Sequence, residues 1–318
     1  MERFPLPMSQ LDLFGGGETD EVESASDSPL SSTEVVSNLN RWPGLYLGTS
    51  SWSFPGWRDL VYKNDYTATQ LADSGLRAYS VIPLFRTVSL DRTYYKPMTY
   101  EQFRKLSQQV PPEFRFIVKA PRDLLQPAEK GLDLSQFSRE FLTPAARGLE
   151  EKLGVVLLQF PPGTNADHDG RFLSRLKPFL RGLPRGLNYS LELRDQELLG
   201  PELADCLHGT GVSICGSIHS ALPNPDQQFL KVPPLPGTPL VFRWNIRPSL
   251  DYEQARNRYK PFDRLQSEDP GRRALMVKLV ERALKAGRMV YLTANNKAEG
   301  CAPLTLLRFL EELSSIKA

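Results

Sequence analysis

Residues 155–159 read VVLLQ, and the proline pair Pro161 and Pro162 follows directly after Phe160. A short run of β-branched and apolar residues that stops near proline is typical of a strand buried on both faces of a parallel sheet. Similar runs recur along the chain after Trp42. Together they predict eight strands, at 46–49, 87–90, 114–118, 155–159, 189–193, 212–215, 240–243 and 289–293.

The segments between these runs predict helices at 99–109, 137–152, 169–182, 200–210, 271–286 and 303–315. Strands that alternate with helices form parallel sheets, and eight such units favour an α/β fold closed into a (β/α)8 TIM-type barrel. The sixth and seventh units are irregular, because residues 217–239 hold six prolines and predict a long loop with little helix. An open doubly wound sheet is the alternative, although the sequence has no GxGxxG or Walker loop to support it.

Residues 1–41 are predicted to form a disordered acidic tail ahead of a barrel spanning 42–318. The stretch 15–40 lacks aromatic residues and is rich in Ser, Gly and acidic residues, so it offers little apolar surface to offset the entropy lost on ordering. Within the tail, residues 10–14 read QLDLF, which resembles the peptide by which bacterial repair and replication proteins bind the sliding clamp. The resemblance implies partner contacts at Gln10, Leu11, Leu13 and Phe14; the alternative is an apolar patch that packs on the barrel.

Charge is distributed unevenly along the chain. The first 40 residues hold only one of the 39 Lys and Arg residues but eight of the 37 Asp and Glu residues, so the rest of the chain is basic. A basic body is compatible with an anionic ligand or nucleic acid, and the alternative is charge that serves solubility alone.

The numbers and positions of cysteine and histidine residues limit which disulfides and metal sites the chain can form. Cys206, Cys215 and Cys301 are odd in number and scattered, which excludes a disulfide framework and predicts a reducing, cytoplasmic environment. No run approaches the roughly 18 apolar residues of a membrane helix. With three histidines in the chain we expect no metal centre and no cofactor; a metal site built from Glu192, Asp91 and His219 is the alternative.

Polar residues follow the predicted strands at the end where barrel enzymes place their chemistry. Strand by strand they are Ser50, Ser51 and Trp52; Asp91, Thr93, Tyr94 and Tyr95; Lys119; Gln159; Glu192 and Arg194; Ser217 and His219; Arg243 and Asn245; Asn295 and Asn296. Charged residues on buried strands need a partner or a ligand. We therefore predict either an internal charge network or a ring of donors around an anion, with Trp52 and Tyr95 as aromatic walls.

These strand ends resemble those of the YecE-like barrels, a family of unknown function (domain of unknown function 72). The matching motifs span about 45–315 in order: GTSSWS at 48–53 with Trp57 and Tyr62, TYY at 93–95 with Pro97, FRFIVK at 114–119, VLLQFPP at 156–162, Glu192-Leu193-Arg194, Arg243, Asn295-Asn296 and GCAP at 300–303. The resemblance implies a TIM-type barrel. The chain departs from the family pattern at Ser89, Asp91, Ala120, Pro121 and Trp244-Asn245, which puts any reaction of the wider family in doubt here.

Three hypotheses for function follow from these residues. In the first, the protein is an enzyme acting on a phosphate-bearing or nucleic-acid ligand in a replication or repair context, with Glu192 and Lys119 catalytic. The ligand would then be bound by Trp52, Tyr95, Arg194, Arg243, Asn295 and Asn296. In the second, it is a non-catalytic nucleotide or nucleic-acid binding module that the tail recruits to the clamp, and in the third a scaffold that presents the tail. Asn295 and Asn296 have a structural alternative, which is to hold the last loop and cap the final helix.

Overall fold

The computed structural model describes residues 21–125, 132–163, 172–246 and 250–316. In these ranges, nine parallel strands form one sheet, in the spatial order β6-β5-β4-β3-β2-β1-β9-β8-β7. Their bounds are β1 (Leu45–Thr49), β2 (Thr87–Leu90), β3 (Arg115–Lys119), β4 (Leu153–Phe160), β5 (Tyr189–Leu193), β6 (Val212–Ile214), β7 (Gly216–Ile218), β8 (Leu240–Trp244) and β9 (Val290–Ala294).

The sheet closes at Cys215. This residue alone separates β6, which pairs with β5, from β7, which pairs with β8. The two short strands are therefore halves of one broken strand, and the barrel has eight strand positions. The predicted TIM-type barrel with irregular sixth and seventh units is confirmed, and the open doubly wound sheet is excluded.

Helices surround this sheet. They are α1 (Thr33–Asn40), α2 (Ala68–Ser80), α3 (Tyr100–Ser107), α4 (Arg122–Leu125), α5 (Leu134–Phe137), α6 (Thr143–Leu149), α7 (Phe172–Gly182), α8 (Pro201–Leu207), α9 (Pro225–Lys231), α10 (Tyr252–Tyr259), α11 (Pro270–Lys285) and α12 (Ala302–Ser315). A π-helical turn, Ser138–Leu142, joins α5 to α6. No described helix is both long enough and apolar enough to cross a bilayer.

The prediction of disorder is wrong for residues 21–41. Val22, Leu30, Val35 and Leu39 are buried in the main core, and α1 packs against α12. The guanidinium of Arg41 also donates to the carbonyl of Ser314 at 2.7 Å. The prediction failed because it used the average composition of the segment, which is polar. The apolar surface that covers these four residues comes from distant parts of the barrel, and local composition does not show it.

The barrel interior has an apolar middle and a polar top. Side chains alternate along a strand, so Val155, Leu157 and Gln159 of β4 share the inward face. Val155 and Leu157 pack with Ile117, Cys215, Val241 and Tyr291 in one apolar cluster. Two residues further along β3, β4, β7 and β8, the inward positions are Lys119, Gln159, Ser217 and Arg243, so a polar layer lies across the C-terminal mouth.

Candidate functional site

Glu192 lies at the centre of the polar layer and is 0% exposed. One carboxylate oxygen, Oε2, accepts from Arg243 Nη1 at 2.7 Å, and the other, Oε1, accepts from Ser217 Oγ at 3.0 Å. Arg194 Nε and Asn245 Nδ2 also donate to Oε1, at 3.3 and 3.4 Å. Apart from Arg194, the donors that surround the carboxylate come from strand ends far from Glu192 in the sequence.

Helix α9 fixes the serine in this arrangement. Gln228, in α9, accepts from the Ser217 backbone N–H at 3.1 Å and donates to the Ser217 carbonyl at 2.6 Å. The proline-rich segment after β7 therefore has a structural role, because it holds Ser217 in line with Glu192.

Arg243 joins two carboxylates across the barrel. While Nη1 binds Glu192, Nη2 donates to both oxygens of Asp91, at 2.8 and 3.1 Å. Ser89 adds a hydroxyl hydrogen bond to Asp91 at 2.7 Å. Ser89 and Asp91 are two of the departures from the family pattern. Here Ser89 hydrogen-bonds Asp91, and Asp91 binds the Nη2 group of Arg243.

These contacts determine the protonation of Glu192. Burial opposes the charged form, but Arg243 and Arg194 outweigh it and hold the pKa of Glu192 well below its usual range. A carboxyl that stays ionised at neutral pH is a poor general acid, and its paired oxygens make it a weak base. Through these contacts Glu192 holds Arg243 and Arg194 in place, and its catalytic role stays a prediction.

Lys119 is the contrasting group. It is 7% exposed, and its ammonium lies 3.6 Å from the centre of the Tyr94 ring. No described residue accepts a hydrogen bond from its Nζ or comes within ion-pair distance of it. Burial lowers the pKa of Lys119 to about 7, since it outweighs the nearby Asp91 charge. Lys119 can therefore exist in both protonation states near neutral pH.

Arg194 occupies the rim beside Glu192. Its guanidinium contacts Glu192 through Nε and lies 3.1 Å from His219 Nε2 through Nη1. His219 Nδ1 in turn accepts from the backbone N–H of Ala221 at 3.2 Å. Burial, followed by the charge of Arg194, lowers the pKa of His219 to about 4, so the imidazole is neutral at physiological pH. Four of the predicted residues, Lys119, Glu192, Arg194 and Arg243, thus share one site.

The two predicted aromatic walls occupy different places. Trp52 is buried, its indole N–H donates to the Leu71 carbonyl at 2.8 Å, and its ring lies 5.5 Å from the guanidinium carbon of Arg92. Tyr95 is 56% exposed on the rim and meets Tyr94 edge to face. The Trp52 ring therefore packs against the Arg92 guanidinium inside the protein, whereas the Tyr95 ring is open to solvent.

The two asparagines have structural contacts. Asn296 Oδ1 accepts from Ala302 N at the start of α12 and from the indole N–H of Trp57, at 2.8 and 3.3 Å. Asn295 donates to Ser50 Oγ at 2.8 Å and accepts from the Lys297 backbone N–H at 3.0 Å. Both contacts fit the structural alternative, since Asn296 caps the start of α12 and Asn295 holds the last loop; Asn295 also orients a serine at the mouth.

Sequence reasoning missed Arg92 and Lys297. Arg92 lines a cleft between the loops after β1 and β2, and Lys297 lies over the Tyr252 ring at 4.4 Å. Burial lowers the pKa of Lys297 to about 8. Arg92 directly follows Asp91 at the end of β2, so its place in the strand-end series was the available signal.

Three further predictions concern metals, cysteines and the N-terminal motif. Within the described residues, no group of three His, Cys, Asp or Glu side chains is arranged to hold a metal ion. Cys206, Cys215 and Cys301 are free and buried. Gln10, Leu11, Leu13 and Phe14 lie outside the described residues.

Comparison with known proteins agrees with the fold. A family model described as protein of unknown function DUF72 matches residues 46–318, so the chain belongs to this family and the YecE-like resemblance is confirmed. A DUF72 family structure from Enterococcus faecalis has a TM-score of 0.60 at 20% identity and covers 86% of this chain and 97% of that one. Another, from Thermotoga maritima, has a TM-score of 0.57 at 24% identity and covers 85% of this chain and 99% of that one. No curated protein matches the chain.

Proposed function

We propose that the protein is an enzyme that acts on a small phosphate-bearing ligand at the C-terminal mouth of its barrel, with Lys119 transferring a proton. The observation that carries the proposal is Lys119 itself, a buried amine at a barrel strand end that no described side chain neutralises by direct contact. A charge that the protein leaves unpaired in its interior is costly, so such a site is expected to serve a ligand.

Charge balance supports an anionic ligand. Glu192 and Asp91 are both engaged by Arg243, whereas Lys119, Arg92 and Lys297 form no ion pair with a described carboxylate. The excess of positive charge at the mouth matches a phosphate, and a low local dielectric strengthens its attraction.

The pKa of Lys119 supports proton transfer. A group with a pKa of about 7 populates its acid and base forms together at neutral pH, which is where general acid–base catalysis works best. An anion bound beside Lys119 would favour the ammonium, so binding and protonation are coupled.

The test is turnover of defined phosphate-bearing compounds. Nucleotides and sugar phosphates are incubated with the wild-type chain, with Lys119→Met and with Lys96→Met, whose lysine is exposed, and products are followed by mass spectrometry. We expect a compound that the wild type and Lys96→Met consume and Lys119→Met does not, with a rate that changes near pH 7. Equal turnover by all three proteins, or none by the wild type, would overturn the proposal.

A non-catalytic binding module recruited to the sliding clamp is the second candidate, and the QLDLF sequence at residues 10–14 is what favours it. It predicts salt-sensitive binding of nucleotide or nucleic acid without turnover. Fluorescence polarisation of a labelled peptide of residues 6–16 with purified clamp tests the recruitment step. A peptide with Leu13 and Phe14 changed to Ala is the control, and no difference between the two peptides would remove this candidate.

A further inference from the structure

A cleft beside the mouth has the features of a built anion site. It lies between the loops that follow β1 and β2, has an enclosed volume of about 20 Å³, and is otherwise open to solvent. Its polar lining consists of Ser50, Ser51, Ser53, Ser89, Asp91 and Arg92. The enclosed part has room for about one water molecule, so an anion would lie in the part of the cleft that is open to solvent.

Arg92 is the cation of this cleft. Among the residues that the structure describes, none accepts a hydrogen bond from its side chain, and its Nε is shielded from solvent without a partner. Asp73 favours the charged form of Arg92 from a distance, but it makes no ion pair with it. Although burial lowers the pKa of Arg92 to about 10, the side chain remains a cation at neutral pH.

The ring of Trp52 restricts the orientation of the Arg92 side chain. The guanidinium lies over the Trp52 ring, and Trp52 is fixed by its hydrogen bond to Leu71 in α2. The contact with the ring limits how the guanidinium can turn, and the planar fork of N–H groups that every arginine carries suits the oxygens of a phosphate.

The serines supply hydroxyl donors. Asn295 donates to Ser50 Oγ at 2.8 Å, so the Ser50 hydroxyl hydrogen is free to point elsewhere. Ser51 and Ser53 share one hydrogen bond of 3.1 Å, which leaves one of their two hydroxyl hydrogens for another acceptor. Asp91, the one carboxylate among the described lining residues, is already bound by Arg243 and Ser89, so its repulsion of an anion is reduced.

The other two arginines at the mouth, Arg194 and Arg243, have fewer free hydrogen-bond donors. Arg243 uses both of its terminal nitrogens on Glu192 and Asp91, and Arg194 is engaged by Glu192 and His219. Arg92 therefore holds the donor capacity that the protein itself does not use.

We infer that this cleft is the phosphate subsite, in which Arg92, Ser50 and the Ser51–Ser53 pair bind the phosphoryl oxygens of the ligand. The inference rests on the proposed function and deepens it: the phosphate lies between the β1 and β2 loops, and the rest of the ligand extends toward Lys119.

The experiment is calorimetric titration of the full chain with inorganic phosphate. Charge-assisted hydrogen bonds of this kind predict that Arg92→Gln weakens phosphate binding by about 10- to 100-fold, and that Ser50→Ala weakens it by less. Arg86→Gln is the matched control, because Arg86 is a partly buried arginine at the opposite end of β2. Arg92→Lys keeps the charge without the planar fork, so intermediate affinity is expected, and it replaces Arg92→Gln if that variant does not fold.

The possible outcomes separate the two proposals. Wild-type affinity in Arg92→Gln, with loss in Arg194→Gln, would place the phosphate at the centre of the mouth and overturn the subsite. Absence of phosphate binding by the wild-type chain would overturn it as well. Phosphate binding that depends on Arg92, without any turnover that depends on Lys119, would confirm the subsite and overturn the proposed enzyme.

Discussion

Lys119 and Glu192 lie in the same polar layer, yet the lowered pKa favours the neutral form of Lys119 and the charged form of Glu192. Glu192 is surrounded by donors and stays ionised, while Lys119 faces an aromatic ring and loses the hydration that would keep its charge. The difference lies in the contacts of each side chain and not in burial, since both are buried.

Lys119→Met is expected to change how stability depends on pH. The pKa of Lys119 is lowered from 10.5 to about 7 in the folded protein, so the unfolded chain binds more protons between these values. The free energy of unfolding of the wild type should therefore rise from pH 7 to pH 9, by about 2 kcal/mol relative to Lys119→Met. Below pH 7 the destabilisation by Lys119 is fully present and the two curves run parallel. Urea denaturation of both proteins at several pH values measures this, and parallel curves throughout the range would contradict the lowered pKa.

At the scale of elements, helices α1 and α2 show which local signals a sequence carries. Helix α2 begins with a capping box, in which Thr67 and Gln70 exchange backbone and side-chain hydrogen bonds. The predicted helices do not include it, although its T-x-x-Q spacing is readable in the sequence. Helix α1 offers a weaker signal, since its stability comes from the α12 surface that it covers.

The order of residues 21–41 can be tested with two matched substitutions in α1. Leu39 is 1% exposed and Val36 is 39% exposed on the same helix. Leu39→Ala should lower the free energy of unfolding by roughly 2–5 kcal/mol, because it leaves a cavity against the barrel. Val36→Ala should change it by less than about 0.5 kcal/mol. Two equally small changes in denaturant titrations would support disorder of this segment.

For the whole molecule, the Arg243 network connects opposite sides of the barrel. Asp91 follows β2, Glu192 lies on β5 and Arg243 lies on β8, and these strands meet at the mouth only because the sheet closes. Removing one side chain of this network leaves a buried charge without its partner, which lowers the free energy of unfolding more than removing both partners does.

Arg243→Met should therefore lower the free energy of unfolding by roughly 3–5 kcal/mol. Adding Glu192→Gln to it should cost less than the sum of the two single changes, because the unpaired carboxylate is gone. Arg308→Met is the control, since its ion pair with Glu311 is exposed on α12 and contributes about 1 kcal/mol or less. Additive losses in the double variant would mean that Arg243 and Glu192 do not stabilise each other.

The sequence by itself determined the barrel and most of the polar residues at its mouth, although not Arg92 and Lys297. Each strand is recognisable locally, as a short apolar run whose last inward position turns polar, and eight such runs in order leave few other folds. Lys119, Glu192, Arg194 and Arg243 could be assigned to one site for the same reason.

Only the tertiary structure decided which charges neutralise one another. Arg243 is 51 residues from Glu192 and 152 from Asp91, and no local pattern states that it would bind both. That choice depends on strand register and on closure at Cys215, and it leaves Lys119 and Arg92 as cations without a direct carboxylate partner among the described residues. The same holds for residues 21–41, whose order depends on a surface that the rest of the chain must first build.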